Sequence, residues 1–211
     1  MKNDNAVRAP IVGYSRHRLA TDGQGVTTLV IFHGCPLRCR WCINPYTFDP
    51  NTKYTQTTPE ELYDKLKVDD IYFRATGGGV TFGGGEPLLY ADFLQSFRAL
   101  CGDSWHLCVE TSLSVPWKNV AVAAECIDTF YIDCKDTNEN IYRAYTGKDN
   151  SLMLENLEKL AKKIPVERIV VRLPLIPEFN TDADRQKSKK LLSQMGITCF
   201  DAFEYKIKTK K

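Results

Sequence analysis

No stretch of this 211-residue chain is apolar for long enough to span a membrane, and its first ten residues, MKNDNAVRAP, hold no signal-peptide core. Charge of one sign is lacking too. Lys and Arg number 28 against 26 Asp and Glu, a net charge of +2, which leaves no footprint for wholesale binding of nucleic acid or acidic lipid. There is no internal repeat, low-complexity tract or clear linker. These absences point to a cytoplasmic chain that binds neither membrane nor nucleic acid. Its 43% hydrophobic and 26% charged content are those of an ordinary globular protein long enough for a substantial core. We expect a single domain over residues 1–211, its core at about 20–206, with a short N-terminal extension and a solvated basic tail at 206–211.

Cysteine is present in quantity, eight residues in all. In a cytoplasmic chain these are ligands or buried thiols rather than bridges. Cys35, Cys39 and Cys42 stand in GCPLRCRWCINP (34–45), a C-x3-C-x2-C spacing with Trp41 before the last cysteine. Three thiolates this close can hold an iron–sulfur cube by three irons. A cube ordinarily takes four cysteines, so one iron would stay open to a substrate. A structural zinc site is the alternative, but it wants a fourth ligand, and His33, two residues from Cys35, is poorly placed to supply it. The other cysteines (Cys101, Cys108, Cys126, Cys134, Cys199) have no metal spacing and read as core or incidental. His17 and His106 read as structural or exposed.

Short apolar strands alternate with amphipathic segments. Strands are expected at 27–33, 79–82, 105–110, 130–133, 167–173 (stopped by Pro174) and 197–205. Helices are expected from Thr58 as N-cap with Pro59 and Glu61, along Leu89, Phe93 and Phe97, over 151–162, and from Thr181 to Gly196. Six strands at about 30 residues per unit predict a parallel α/β fold, an open partial TIM barrel of (β/α)6 form. Function would then lie at the C-terminal strand ends. The cysteine loop falls there, as do the glycines of GGGVTFGGGEP (77–87), Glu110 with Thr111, and Asp133 with Lys135.

With these pieces in order the chain resembles the radical S-adenosylmethionine (SAM) enzymes, and among them the activating enzymes of glycyl-radical enzymes, typified by pyruvate formate-lyase activating enzyme. The resemblance runs from about residue 12 to 206. It rests on TDGQGV (21–26), the cysteine loop, GGGEP (83–87), VETS (109–112), YIDCKD (131–136), YTG (145–147) and RLPLIPEFN (172–180). It implies that Cys35, Cys39 and Cys42 ligate a [4Fe–4S] cluster whose open iron chelates SAM. Gly84, Gly85 and Glu86 would meet the methionine amine, and Lys135 and Arg172 the carboxylate or ribose side. Glu110, Thr111 and Asp133 match positions near the ribose, where a monovalent cation can also be held, and Trp41 would pack beside cluster and adenine. One electron would split SAM into methionine and a 5′-deoxyadenosyl radical, which would take a Cα hydrogen from a glycine of the partner enzyme. Asp22 and Gly23 would lie near that glycine loop. Catalysis would rest on the three cysteines and Lys135, in a monomer.

Some positions depart from the pattern. Glu110 stands where the typified activase has Asp, Gln24 where Pro is common, and Glu178 where Gly is common. No second cysteine-rich insert follows the loop, so an external flavodoxin or ferredoxin would deliver the electron. The chain stops just after the sixth strand, where longer relatives add a segment and usually a His near Lys206, so the site would be more open or closed by the partner. Two other readings stand beside the activase: a radical SAM enzyme acting on a small molecule or peptide, as 7-carboxy-7-deazaguanine synthase does, and a degenerate metal-binding relative without catalysis.

Overall fold

A computed structural model describes residues 6–19 and 22–205; Thr21 of the 21–26 motif and the tail 206–211 lie outside the described residues. Eight strands form one sheet: β1 (Ala9–Leu19), β2 (Val26–Phe32), β3 (Thr55–Thr57), β4 (Gly79–Gly84), β5 (His106–Thr111), β6 (Thr129–Asp133), β7 (Ile169–Leu175) and β8 (Cys199–Glu204). Their spatial order is β3-β1-β2-β4-β5-β6-β7-β8. Every neighbouring pair from β2 to β8 is parallel, and among the described residues nothing pairs β8 back onto β3. The six parallel strands are the expected (β/α)6 partial barrel.

Two strands escape the sequence pattern. β1 pairs antiparallel with both β2 and β3, so the sheet begins at Ala9, ahead of the expected core. Its register shifts twice, and its second half is the polar run Ser15–Arg18, so no two-residue alternation survives to be read. The kink is held by Asp69, a buried carboxylate that accepts from Arg16 Nε at 2.6 Å and faces His17 Nε2 at 3.0 Å. His17 itself has φ 56°, a left-handed conformation unusual outside glycine.

The helices are α1 (Pro59–Leu66), α2 (Asp70–Thr76), α3 (Ala91–Cys101), α4 (Trp117–Ala124), α5 (Glu139–Thr146), α6 (Ser151–Lys163) and α7 (Asp182–Gln194). Local chemistry explains several ends. Thr58 with Glu61 and Thr181 with Asp184 form reciprocal capping boxes at the starts of α1 and α7. α2, α4 and α5 were not anticipated; they are short, and only tertiary packing selects so few turns. Leu89 does not share the buried face of Phe93 and Phe97. It lies in the tight turn Pro87–Tyr90 and is 38% exposed. Pro174 does not stop its strand either. β7 runs to Leu175, and Pro174 lies past the last β6 partner, Asp133 opposite Arg172, where no ladder donor is required.

The core packs Phe32, Phe82, Phe93 and Phe97 edge to face between the sheet and α3, with Trp105 tilted against Phe97. Cys101, Cys108, Cys126 and Cys134 are buried with it, whereas Cys199 is exposed. His106 bonds Thr129 Oγ1 at 2.9 Å. Among the described residues no helix is long and apolar enough to cross a membrane.

Candidate active site

The cysteine loop leaves β2 at the C-terminal edge of the sheet and is tied down along its length. Gly34 N–H donates to Thr47 O at 2.6 Å, and Glu86 N–H donates to Gly34 O at 2.7 Å. Arg38 and Arg40 N–H donate to Thr146 O and Tyr145 O, the carbonyls ending α5, at 2.9 and 3.0 Å. Leu37, in mid-loop, is buried. Gly85 is glycine because of this docking: a Cβ there would stand 2.3 Å from Gly34 O.

Cys35, Cys39 and Cys42 are half-buried and line one cavity of about 350 Å³ together with Gly84, Gly85 and Glu86 from the end of β4, Glu110 and Thr111 from β5, Asp133 and Lys135 from β6, and Arg172 from β7. The glycine run, the acidic pair and the two cations, up to 137 residues apart in sequence, therefore meet the thiols in one place. Burial pushes the Cys35 thiol up to about 12, with Glu86 adding to the effect, and the Cys39 thiol up to about 11. Cys42 is raised by burial too. Burial thus favours the thiol form at all three positions, and ligation as thiolates would release protons.

Glu86 forms part of the cavity floor but is almost wholly buried, 1% exposed. Its carboxylate accepts from Thr111 Oγ1 at 2.7 Å, Ser112 Oγ at 2.7 Å, Ser112 N at 2.9 Å and Leu88 N at 3.3 Å. Burial raises its pKa, and these donors only partly offset that. Its side chain ties β4 to β5.

The opposite wall is charged. Lys135 Nζ donates to Asp133 Oδ2 at 3.0 Å and to Tyr205 Oη at 3.3 Å. Arg172 Nη2 donates to Glu110 Oε1, its Nη1 lies 3.7 Å from Asp133 Oδ1, and its guanidinium sits 5.0 Å over the Tyr131 ring. Burial alone would raise Asp133, but Lys135 and Arg172 outweigh it and hold the carboxyl below the usual value. Burial would likewise discharge Lys135, yet Asp133 and its other neighbours keep the ammonium pKa well above normal. Both carboxylates expected near a monovalent cation are therefore already engaged by protein cations.

The donor set fits the implied groups. Three thiols face a cavity whose wall alternates cation and anion, suited to an amino-acid zwitterion, and Asp133 Oδ1 is buried without a hydrogen bond. Among the described residues no three His, Cys, Asp or Glu side chains are arranged around a single metal ion, as one zinc would need. His33 Nε2 pairs instead with Asp49 O at 3.0 Å.

Three expected residues stand apart. Trp41 is half-buried in the loop, does not line the cavity, and leaves its indole Nε1 buried without a partner. Asp22 and Gly23 line a second cavity of about 630 Å³, which shares Ile43, Asn44, Glu110, Arg172 and Phe203 with the first. Asp22 pairs with Arg18, and its carbonyl accepts from Thr81 Oγ1. The sequence reading missed Ser112, Phe203 and Tyr205. Ser112 directly follows Thr111, Phe203 lies at the end of β8 and Tyr205 just past it, so the strand-end rule could have marked all three.

The sequence pattern of the Radical SAM superfamily matches residues 29–192. The chain is 30% identical to the indoleacetate decarboxylase activating enzyme of Tractidigestivibacter scatoligenes, over 87% of this chain and 78% of that one. It is 34% identical to the pyruvate formate-lyase-activating enzyme of Clostridium pasteurianum, over 71% of this chain and 64% of that one. Among solved structures, Streptococcus suis SuiB bound to S-adenosylmethionine superposes with a TM-score of 0.64 at 14% identity, covering 84% of this chain and 41% of SuiB, a likeness of fold. The thiol-lined cavity at the strand ends thus belongs to an enzyme of the radical SAM superfamily, and within it the chain is a member of the activating enzymes of glycyl-radical enzymes.

Proposed function

We propose that this chain activates a glycyl-radical enzyme by abstracting a hydrogen atom from one glycine Cα of that partner. The observation that carries the reading is the convergence of Cys35, Cys39 and Cys42 with Gly84, Gly85, Lys135 and Arg172 on one cavity. Cys35, Cys39 and Cys42 would hold a [4Fe–4S] cluster, which would supply the one-electron reduction of SAM that hydrogen-atom abstraction from the glycine needs.

The residues divide the remaining work. Lys135 and Arg172, kept charged by Asp133 and Glu110, present cations to the SAM carboxylate, and Arg172 can offer it a planar fork. Asp133 Oδ1, with no hydrogen bond in the protein, is an acceptor for ribose hydroxyls. Glu86 acts from below, holding Thr111 and the glycine run in register. The cavity carrying Asp22 and Gly23 adjoins this one across Glu110 and Arg172, and we assign it to the partner's glycine-bearing segment. Flavodoxin or ferredoxin is the donor class we propose.

The test is anaerobic reconstitution with iron and sulfide, then dithionite and SAM, with 5′-deoxyadenosine read by mass spectrometry and a glycyl radical on an added partner read by electron paramagnetic resonance. Cluster-dependent 5′-deoxyadenosine with radical transfer is expected. A chain that loads zinc and never a cluster overturns the reading.

A further inference from the structure

Several cations on the surface helices have a carboxylate one turn away: Arg74 with Asp70, Lys159 with Glu155, Lys162 with Glu158, Arg185 with Asp182. The cysteine loop and the turn after α5 gather cations without such a pair. Arg38 and Arg40 are exposed between the cysteines, and their backbones seat on the last turn of α5. Lys148, also exposed, follows that turn, and its carbonyl accepts from Thr146 Oγ1 at 3.1 Å. The three cations therefore gather at one junction. Arg38 spends its guanidinium on Cys35 O and Leu37 O and lies 4.7 Å over the Phe48 ring, with no carboxylate against it. Among the described residues Arg40 and Lys148 have no ion-pair partner. Of the neighbouring acids, Glu139 pairs with Arg143, while Asp149, next to Lys148, is held by Ser151 N–H at 3.1 Å, a neutral donor that leaves its charge in place.

Arg38, Arg40 and Lys148 against the single unpaired carboxylate Asp149 leave a net positive patch on and beside the loop that carries the three half-buried thiols. Resting on the function proposed above, we propose that this face, centred on Arg40 and Lys148, is the docking surface for an acidic one-electron carrier protein. Whatever reduces a centre at the thiols has this loop as its cover. A positive patch there steers an acidic partner to the loop and fixes its orientation. The glycine-bearing partner is assigned to the cavity beyond Glu110 and Arg172, so the two proteins would approach by different faces.

The experiment compares the reconstituted wild-type chain with the double variant Arg40→Glu, Lys148→Glu. Arg38 is left alone because its side chain braces the loop. Cluster bleaching by reduced flavodoxin, followed anaerobically by stopped flow at low salt, should slow roughly tenfold or more in the variant. The wild-type rate should fall as salt screens the patch. At saturating dithionite, 5′-deoxyadenosine production should match wild type. An unchanged rate with flavodoxin, or an equal loss with dithionite, overturns the proposal. So does loss of glycyl-radical formation under dithionite, which would make the face the site for the protein substrate. Bleaching needs no SAM cleavage, so a chain that accepts electrons through this face but never cleaves SAM would fail the proposed function alone.

Discussion

At the ends of β4 and β5 a fully buried carboxylate, Glu86, is held by hydroxyl and amide donors, whereas at the ends of β6 and β7 the half-buried carboxylate Asp133 is held by two cations. The neutral cage leaves Glu86 with a raised pKa, while the cationic one leaves Asp133 with a lowered one. The first arrangement cross-links two strand ends and presents backbone to the cavity. The second keeps fixed charges facing it, with one acceptor unsatisfied. One wall is for shape and the other for charge, and both flank the same thiols.

The comparison breaks outright if the two walls do not serve a centre held by those thiols. Cys42→Ala should lose cluster loading and all 5′-deoxyadenosine, while Cys101→Ala, altering a core thiol, should keep both. A Cys42→Ala chain that still forms product would sink the assignment. Next in size, Glu86→Ala should cost stability, because Thr111 and Ser112 lose a buried acceptor. About 3 kcal/mol is expected in urea unfolding. Lys135→Met should act instead on SAM affinity, by about 2 kcal/mol or more in an equilibrium titration, since Asp133 then draws Arg172 away from the ligand. Equal losses of stability in both variants would erase the difference between the walls.

Arg172→Lys sharpens it further. An ammonium cannot reach Glu110 and Asp133 together as the guanidinium fork does, so SAM affinity should fall about tenfold with the charge unchanged. Smallest is a pair of opposite pH slopes in the metal-free chain. Asp133, lowered in the fold, contributes stability that is full above its unfolded value near 3.8 and lost as pH falls through the folded value. Glu86, raised in the fold, binds its proton more tightly when native, so its contribution is full below about 4.5 and lost as pH rises toward the folded value. Urea midpoints across acid pH should therefore flatten at the low end in Asp133→Asn and at the upper end in Glu86→Gln; the same change in both would contradict the opposed cages.

Much of this was legible in the chain itself. The C-x3-C-x2-C spacing, the glycine run and the strand-to-helix alternation are local, and local patterns mark candidate ligands, the parallel strands and capping boxes such as Thr58 with Glu61. The parallel class of the sheet follows from that alternation, and with it the edge at which the site lies. What the tertiary structure decided is whatever depends on neighbours distant in sequence. β1 is a strand because β2 offers it an edge and Asp69 pins its bulge, not because its residues alternate. Glu86 turned inward to Ser112 because the floor between two parallel strands is dry, and a buried carboxylate takes every donor in reach. Tyr205 joins Lys135 across 70 residues because β8 ends beside β7, and no pattern within either strand encodes that register.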